Sequence, residues 1–187
     1  MYLKVFFIFI FLIYQTNLNS KATDKSEFNQ KYLSNYFSAL ISYDNNKNEE
    51  ALKYFNSSKY LLKKHDKFLK EYVFSLVAND QVPKAIKQIY YFENSKNSNF
   101  FEAKLLLTLD HIKKKNFLKA NEVLKKLKDY QQESTYEFII YETLKSYNNL
   151  FINKKIHEDN NNFGNLSLIT SAFQNCYLDT EKTNSYF

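Results

Sequence analysis

The chain has 187 residues, 44% of them hydrophobic and 18% aromatic, which is too apolar for a disordered chain and long enough for one packed domain or roughly four to five two-helix repeats of about 34 residues. One glycine and one proline leave almost no material for the positive-φ turns of an all-β fold, so a helical fold is expected. All 26 basic residues are lysine, and without arginine, the residue of bidentate phosphate and guanine recognition, the net charge of +6 reads as solvated helix faces and not as a nucleic-acid footprint.

The amino terminus reads as an address. Met1 to Lys4 give a short basic start, and Val5 to Tyr14 form an unbroken apolar run, VFFIFIFLIY. A run of that length falls short of the roughly 20 residues that a bilayer-spanning helix needs. The chain then turns polar, and Ser20-Lys21-Ala22 offers the small-x-small pattern that a signal peptidase reads. Residues 1–22 are expected to be a signal peptide cleaved after Ala22, residues 23–30 a linker, and the mature protein to be exported to the periplasm or cell envelope. An uncleaved anchor extended by Leu3 and Leu18, or a buried strand, is the alternative for the same run. Contact with a membrane is expected only through this segment.

Helical periodicity begins near Glu27 and gives Tyr32, Tyr36, Ala39, Leu40 and Tyr43 before the Asp44-Asn45-Asn46 breaker. A second helix follows, with Asn48 as its expected N-cap and Ala51, Leu52, Phe55, Ser58 and Leu62 on its apolar side. A third is expected from Asp66 with Leu69, Tyr72, Val73 and Leu76. Pro83 then falls in the first turn of a fourth, where its missing N–H costs nothing, ahead of Ala85, Ile89 and Phe92.

Asn99 and Glu102 have the spacing of a capping box for a fifth helix carrying Leu105, Thr108, Leu109 and Ile112. A sixth runs from about Asn116 to Tyr130 through Phe117, Ala120, Leu124 and Leu127. Ser134 with Glu137 is a second capping box, opening a helix through Ile140, Leu144, Tyr147 and Leu150. Residues 152–165 are polar, include Asp159 to Asn162 and end near Gly164, and are expected to be the longest loop. Residues 166–187 return to helix and look like an incomplete repeat, Tyr186 and Phe187 being apolar with no polar cap after them. Solenoids need a polar terminal helix, so this chain is expected to be the amino-terminal part of a longer array. Cys176, the single cysteine, has no internal disulfide partner and is expected to be a small core residue in the pattern Ile169, Phe173, Cys176, Tyr177.

Ala51, Ala85 and Ala120 lie 34 and 35 residues apart, each near the start of a helical pattern. A period of that length marks helix-turn-helix units that bury their apolar faces on one another. Read as Tyr36, Ala39, Leu40, Tyr43, Ala51, Phe55, Ser58, then Leu69, Tyr72, Val73, Leu76, Ala85, Ile89, Phe92, then Leu105, Thr108, Leu109, Ile112, Ala120, Leu124, Leu127, the repeats resemble the tetratricopeptide pattern of aromatic, Leu, small, Tyr, Ala, aromatic, Ala. The turn glycine and terminal proline of that family are missing, and the turn differs by one residue between the first and second units. With its leader and AT-biased composition, the chain looks like a divergent tetratricopeptide-like exported protein of an AT-rich bacterium. The resemblance implies an all-α fold, a right-handed helix-turn-helix solenoid over residues 31–151.

It also implies a concave groove lined by the first helix of each unit. That face would hold Phe37 and Ile41 from the first, Lys67, Lys70, Phe74 and Val77 from the second, and Leu106, Asp110 and Lys113 from the third. A peptide's apolar side chains would sit along Phe37, Ile41, Phe74, Val77 and Leu106 with Lys70 and Lys113 meeting carboxylates; alternatively these residues pack against adjacent helices.

His65, His111 and His157 each stand beside an acid, but none has a second His or Cys three or four residues away, so no metal site is expected. Glycine-rich phosphate loops and a nucleophile elbow are absent as well. The expected function is a non-enzymatic scaffold for a protein or peptide partner, with no cofactor and no nucleic acid. A membrane-anchored structural envelope protein and the targeting module of a longer enzyme are the alternatives.

Overall fold

A computed structural model describes residues 29–130, 135–156 and 161–185. The expected signal peptide with its run Val5–Tyr14 and the cut after Ala22, most of the linker, Ser134, His157, Asp159, Asn160, Tyr186 and Phe187 lie outside the described residues. Among the described residues the protein is all-α, with no strand: α1 (Gln30–Asp44), α2 (Asn48–Ser57), α3 (Phe68–Ala78), α4 (Val82–Tyr91), α5 (Phe101–Lys113), α6 (Phe117–Leu127), α7 (Thr135–Asn153) and α8 (Asn165–Tyr177). Consecutive helices pack on each other. Short 3₁₀ turns, Lys59–Lys63, Lys96–Ser98 and Lys128–Tyr130, follow α2, α4 and α6.

The turns inside the first three hairpins are one structure repeated. Asn46, Asp80 and Lys115 take φ of 58°, 57° and 58°, the left-handed conformation that closes a helix by turning the chain back over its last carbonyls. The following N–H groups, of Lys47, Gln81 and Asn116, donate to the carbonyls of Ser42, Leu76 and His111, each at 2.8 Å. From each of those carbonyls to Ala51, Ala85 and Ala120 is nine residues. All three alanines are fully buried, as expected where two helices cross with room for a methyl group and little more.

That constant turn corrects the sequence-based register. The one-residue difference in turn length does not exist; it comes from placing the core of α1 and α5 one residue too far along. In α3 the buried positions are Phe68, Leu69, Tyr72, Val73, Ser75 and Leu76, and in α5 Ala103, Lys104, Leu107, Thr108 and Asp110 are buried at an offset of 35 residues, with Phe101 buried in addition at the start of the helix. Of the expected α5 stripe, Thr108 alone is buried, Leu105 and Ile112 are half-buried, and Leu109 is exposed. In α1, Tyr36, Ala39 and Ser42 are buried, while Leu40 and Tyr43 are only partly so.

A larger core cluster runs from Tyr36 to Val123 through α1 to α6, and a smaller one joins Phe101, Leu124, Leu127 and Tyr141. A second repeated contact ties the first hairpin to α3 and the third to α7. Asn79 Nδ2 donates to the Asn48 carbonyl at 2.9 Å, and Asn148 Nδ2 to the Phe117 carbonyl at 3.2 Å; both donors and both acceptors are 69 residues apart. α7 then runs on until Lys154, at φ 53°, so its turn comes five residues later than the repeat would put it.

Several local expectations are corrected. Asn48 is the first residue of α2 and not its cap, and α2 ends at Ser57, leaving Leu62 in the 3₁₀ turn. Asn99 and Glu102 form no capping box, since Phe100 holds the cap position without a side-chain bond. Asn116 does cap α6, its side chain accepting from Lys119 N. Cys176 is exposed, and Ile169, Phe173 and Tyr177 are exposed with it; the buried residues of α8 are instead Gln174 and Asn175.

Candidate functional site

The structure distributes the sequence-based groove residues over several environments. Phe37 and Ile41 are 53% and 63% exposed. Lys67 and Lys113 are exposed, and Lys70, Phe74, Val77 and Leu106 are half-buried, the last three packed on the main core. Lys70 Nζ lies 3.3 Å from Glu102 and sits over the rings of Phe74 and Phe100 at 5.3 and 5.8 Å. Phe74 meets Phe100 edge to face at 6.5 Å. The two charges therefore tie α3 to α5 and steady an aromatic pair between them.

Asp110 does not share this face. It is buried toward α4, where its Oδ2 accepts from Tyr90 OH at 3.4 Å and from Lys114 Nζ at 2.7 Å. Tyr90 OH also meets His111 Nε2 at 3.2 Å. Burial first, then the Asp110 charge, hold the Tyr90 phenol above its ordinary value. This cluster bonds one hairpin to the next through side chains with donors and acceptors matched.

The constant turn gives the register in which the three first helices are compared. Lys67, Lys70, Phe74 and Val77 of α3 correspond, 34 residues earlier, to Leu33, Tyr36, Leu40 and Tyr43. Thirty-five residues later they correspond to Glu102, Leu105, Leu109 and Ile112. Two columns result, Leu40, Phe74 and Leu109, and Tyr43, Val77 and Ile112. Every member is half-buried except Leu109, which is 44% exposed. Leu40, Leu109 and Ile112 are absent from the sequence-based face because Ile41, Asp110 and Lys113 stand one residue too far along, and Tyr43 has no counterpart in it. Counting nine residues back from each alanine recovers them.

Glu71 stands between these helices, half-buried. Burial raises its carboxyl above the ordinary glutamate value; Lys70 and Lys67 work against that, and Asp44 and Glu102 add to it. The face is thus an apolar strip with a carboxyl that accepts a proton more readily than a free glutamate. Among the described residues no three His, Cys, Asp or Glu side chains converge on a point that could hold a metal ion.

No family model, curated protein or solved structure matches the chain.

Proposed function

We propose that this protein is a non-enzymatic scaffold of tetratricopeptide-like hairpins, wound as a right-handed solenoid and exported to the cell envelope, which holds a protein or peptide segment against the face shared by α1, α3 and α5. The observation that carries this reading is the pair of half-exposed apolar columns, Leu40, Phe74, Leu109 and Tyr43, Val77, Ile112. Three successive helices offer the same two positions at one period, and such a strip seats a peptide's alternate or helical side chains. The corrected register also supports the family resemblance, because the small position of the first helix becomes Ala39, Val73 and Thr108. Lys67, exposed at the edge of the strip, provides a cation for a carboxylate on the bound segment.

Phe74 and Lys70 are unsuitable test residues, since both are engaged in holding α3 to α5. Leu109 and Ile112 are better. A displayed peptide library is selected on the wild-type protein, and the selected peptides are titrated into Leu109→Lys and Ile112→Ser. Binding weakened by about tenfold or more in Leu109→Lys, with an unchanged melting temperature, is the expected result for a contact residue. If selected peptides bind Leu109→Lys as tightly as wild type, the strip is not where partners dock.

A further inference from the structure

The register of the hairpins extends to α7. The contacts that repeat after 69 residues, Asn79 to Asn48 and Asn148 to Phe117, set α7 two periods after α3, so Phe74 and Val77 correspond to Thr143 and Ser146. The match holds in the core, where Tyr72 and Tyr141 are both buried, as are Val73 and Glu142. α7 is joined to α5 through the cluster that holds Phe101, Leu105, Ile140 and Tyr141. The two apolar columns of α1, α3 and α5 therefore end, on α7, in two hydroxyls.

α8 lies alongside α7 and parallel to it, since Tyr147 meets Thr170 and Lys154 meets Tyr177 at the same separation of 23 residues. In α3 the Phe74 ring reaches across to Phe100, whereas Thr143 in its place has no ring to fill the space before it. A cavity of about 350 Å³ is left between α7 and α8. Its polar lining is Thr143 and Ser146 of α7 with Ser167, Thr170, Ser171 and Gln174 of α8, and none of the described residues that line it, apolar ones included, is charged. The four from α8 stand at i, i+3, i+4 and i+7, one face of the helix. Ser146 and Gln174, each 2% exposed, are bonded to each other at 2.8 Å.

We propose that this cavity is the terminal subsite of the strip, and that it takes an uncharged polar side chain, asparagine, glutamine, serine or threonine, from the segment whose apolar residues lie along α1, α3 and α5; it rests on the strip being the docking face. A carboxylate or an ammonium would shed its water here with no opposite charge to meet it. An apolar side chain would displace water from the hydroxyls and return no hydrogen bond. Serine and threonine hydroxyls both donate and accept, so a carboxamide or a hydroxyl finds partners in either sense. The volume lies at the small end of ligand sites, suited to one side chain with the peptide group that carries it. The bound segment thus has a fixed polarity: apolar residues first, then one neutral hydrogen-bonding residue at the end that reaches α7.

Thr143→Phe, which puts the α3 residue at its α7 counterpart, fills the cavity and leaves the strip intact. Peptides selected from a displayed library on the full wild-type chain are expected to share Asn, Gln, Ser or Thr at one fixed spacing from their apolar residues. Alanine at that position should weaken binding to wild type by about tenfold and leave binding to Thr143→Phe unchanged, while Leu109→Lys weakens every selected peptide. Circular dichroism checks the fold, and Ser171→Leu, which fills the same space from α8, replaces Thr143→Phe if that variant does not fold. Peptides that depend on Leu109 but show a charged, apolar or unselected residue at every such position overturn this subsite and leave the strip standing. So does a polar position whose alanine substitution weakens binding to Thr143→Phe as much as to wild type. Peptides indifferent to Leu109→Lys, or a library that yields no binder, overturn the strip and the subsite together.

Discussion

A lysine occupies the place in α5 that Leu69 fills in α3. Lys104 is only 5% exposed, its stem lying among apolar side chains as long basic residues allow. Burial, then the charge of Lys126, hold its ammonium below the ordinary lysine value, and Glu93 opposes them. The folded protein therefore binds this proton less tightly than the unfolded chain. The cost of the charged form is complete at neutral pH and vanishes as pH rises through the folded value toward 10.5, the ordinary lysine value. Lys104→Met is expected to raise stability by on the order of 1 kcal/mol near neutral pH, with the gain in melting temperature shrinking as the pH approaches that limit. The left-handed turn residues make a second prediction at this scale. A side chain at positive φ costs roughly 1–2 kcal/mol, less for asparagine, and glycine gives part of that back in unfolded-state entropy. Lys115→Gly should stabilise by about 0.5–1 kcal/mol and Asn46→Gly by less, read as a difference in urea midpoints.

Elements are placed here by two devices, the alanine at each crossing and the turn nine residues before it. Ala120→Leu would push α5 and α6 apart and is expected to cost about 1–3 kcal/mol, seen in thermal melting. Both devices were legible in part. The 34 and 35 residue spacing of the alanines, the helix breaks at Asn46 and Asn79-Asp80, and Pro83 in the opening turn of α4 are written in local chemistry that tertiary packing did not override. The register of the first helices was not, and the reason lies in particular residues. Lys104 is buried, and a pattern search that treats lysine as solvent-facing steps along to Leu105 and Leu109. Ser42 is buried as well, so the search prefers Tyr43. In α8 the apolar stripe Ile169, Phe173, Cys176 was read as core because periodicity marks an apolar face without saying whether anything covers it. The buried side is held by Gln174, whose Nε2 donates to Ser146 Oγ at 2.8 Å. Polar residues buried with their hydrogen bonds met are invisible to hydropathy, and the alignment of Leu109 and Ile112 with Phe74 and Val77 is lost with the register it depends on.

At the scale of the whole molecule, stability is not evenly spread. The main cluster draws on α1 to α6, whereas α8 contributes no residue to either cluster and is held by aromatic edges and by side-chain bonds of Gln174 to Ser146, Thr170 to Tyr147 and Tyr177 to Lys154. Native-state amide exchange is expected to be fastest in α8 and slowest in α3; equal protection in the two would show a cohesion the packing does not suggest. The identical turns at Asn46, Asp80 and Lys115 carry a wider implication for how such a chain can vary. Gaining or losing a whole unit leaves every joint with the same backbone, whereas one residue added between a first-helix carbonyl and its alanine would rotate the next helix by about 100°. Length differences are thus steered into the connections after α2 and α4, and the single extra residue separating the 34 and 35 spacings is found there.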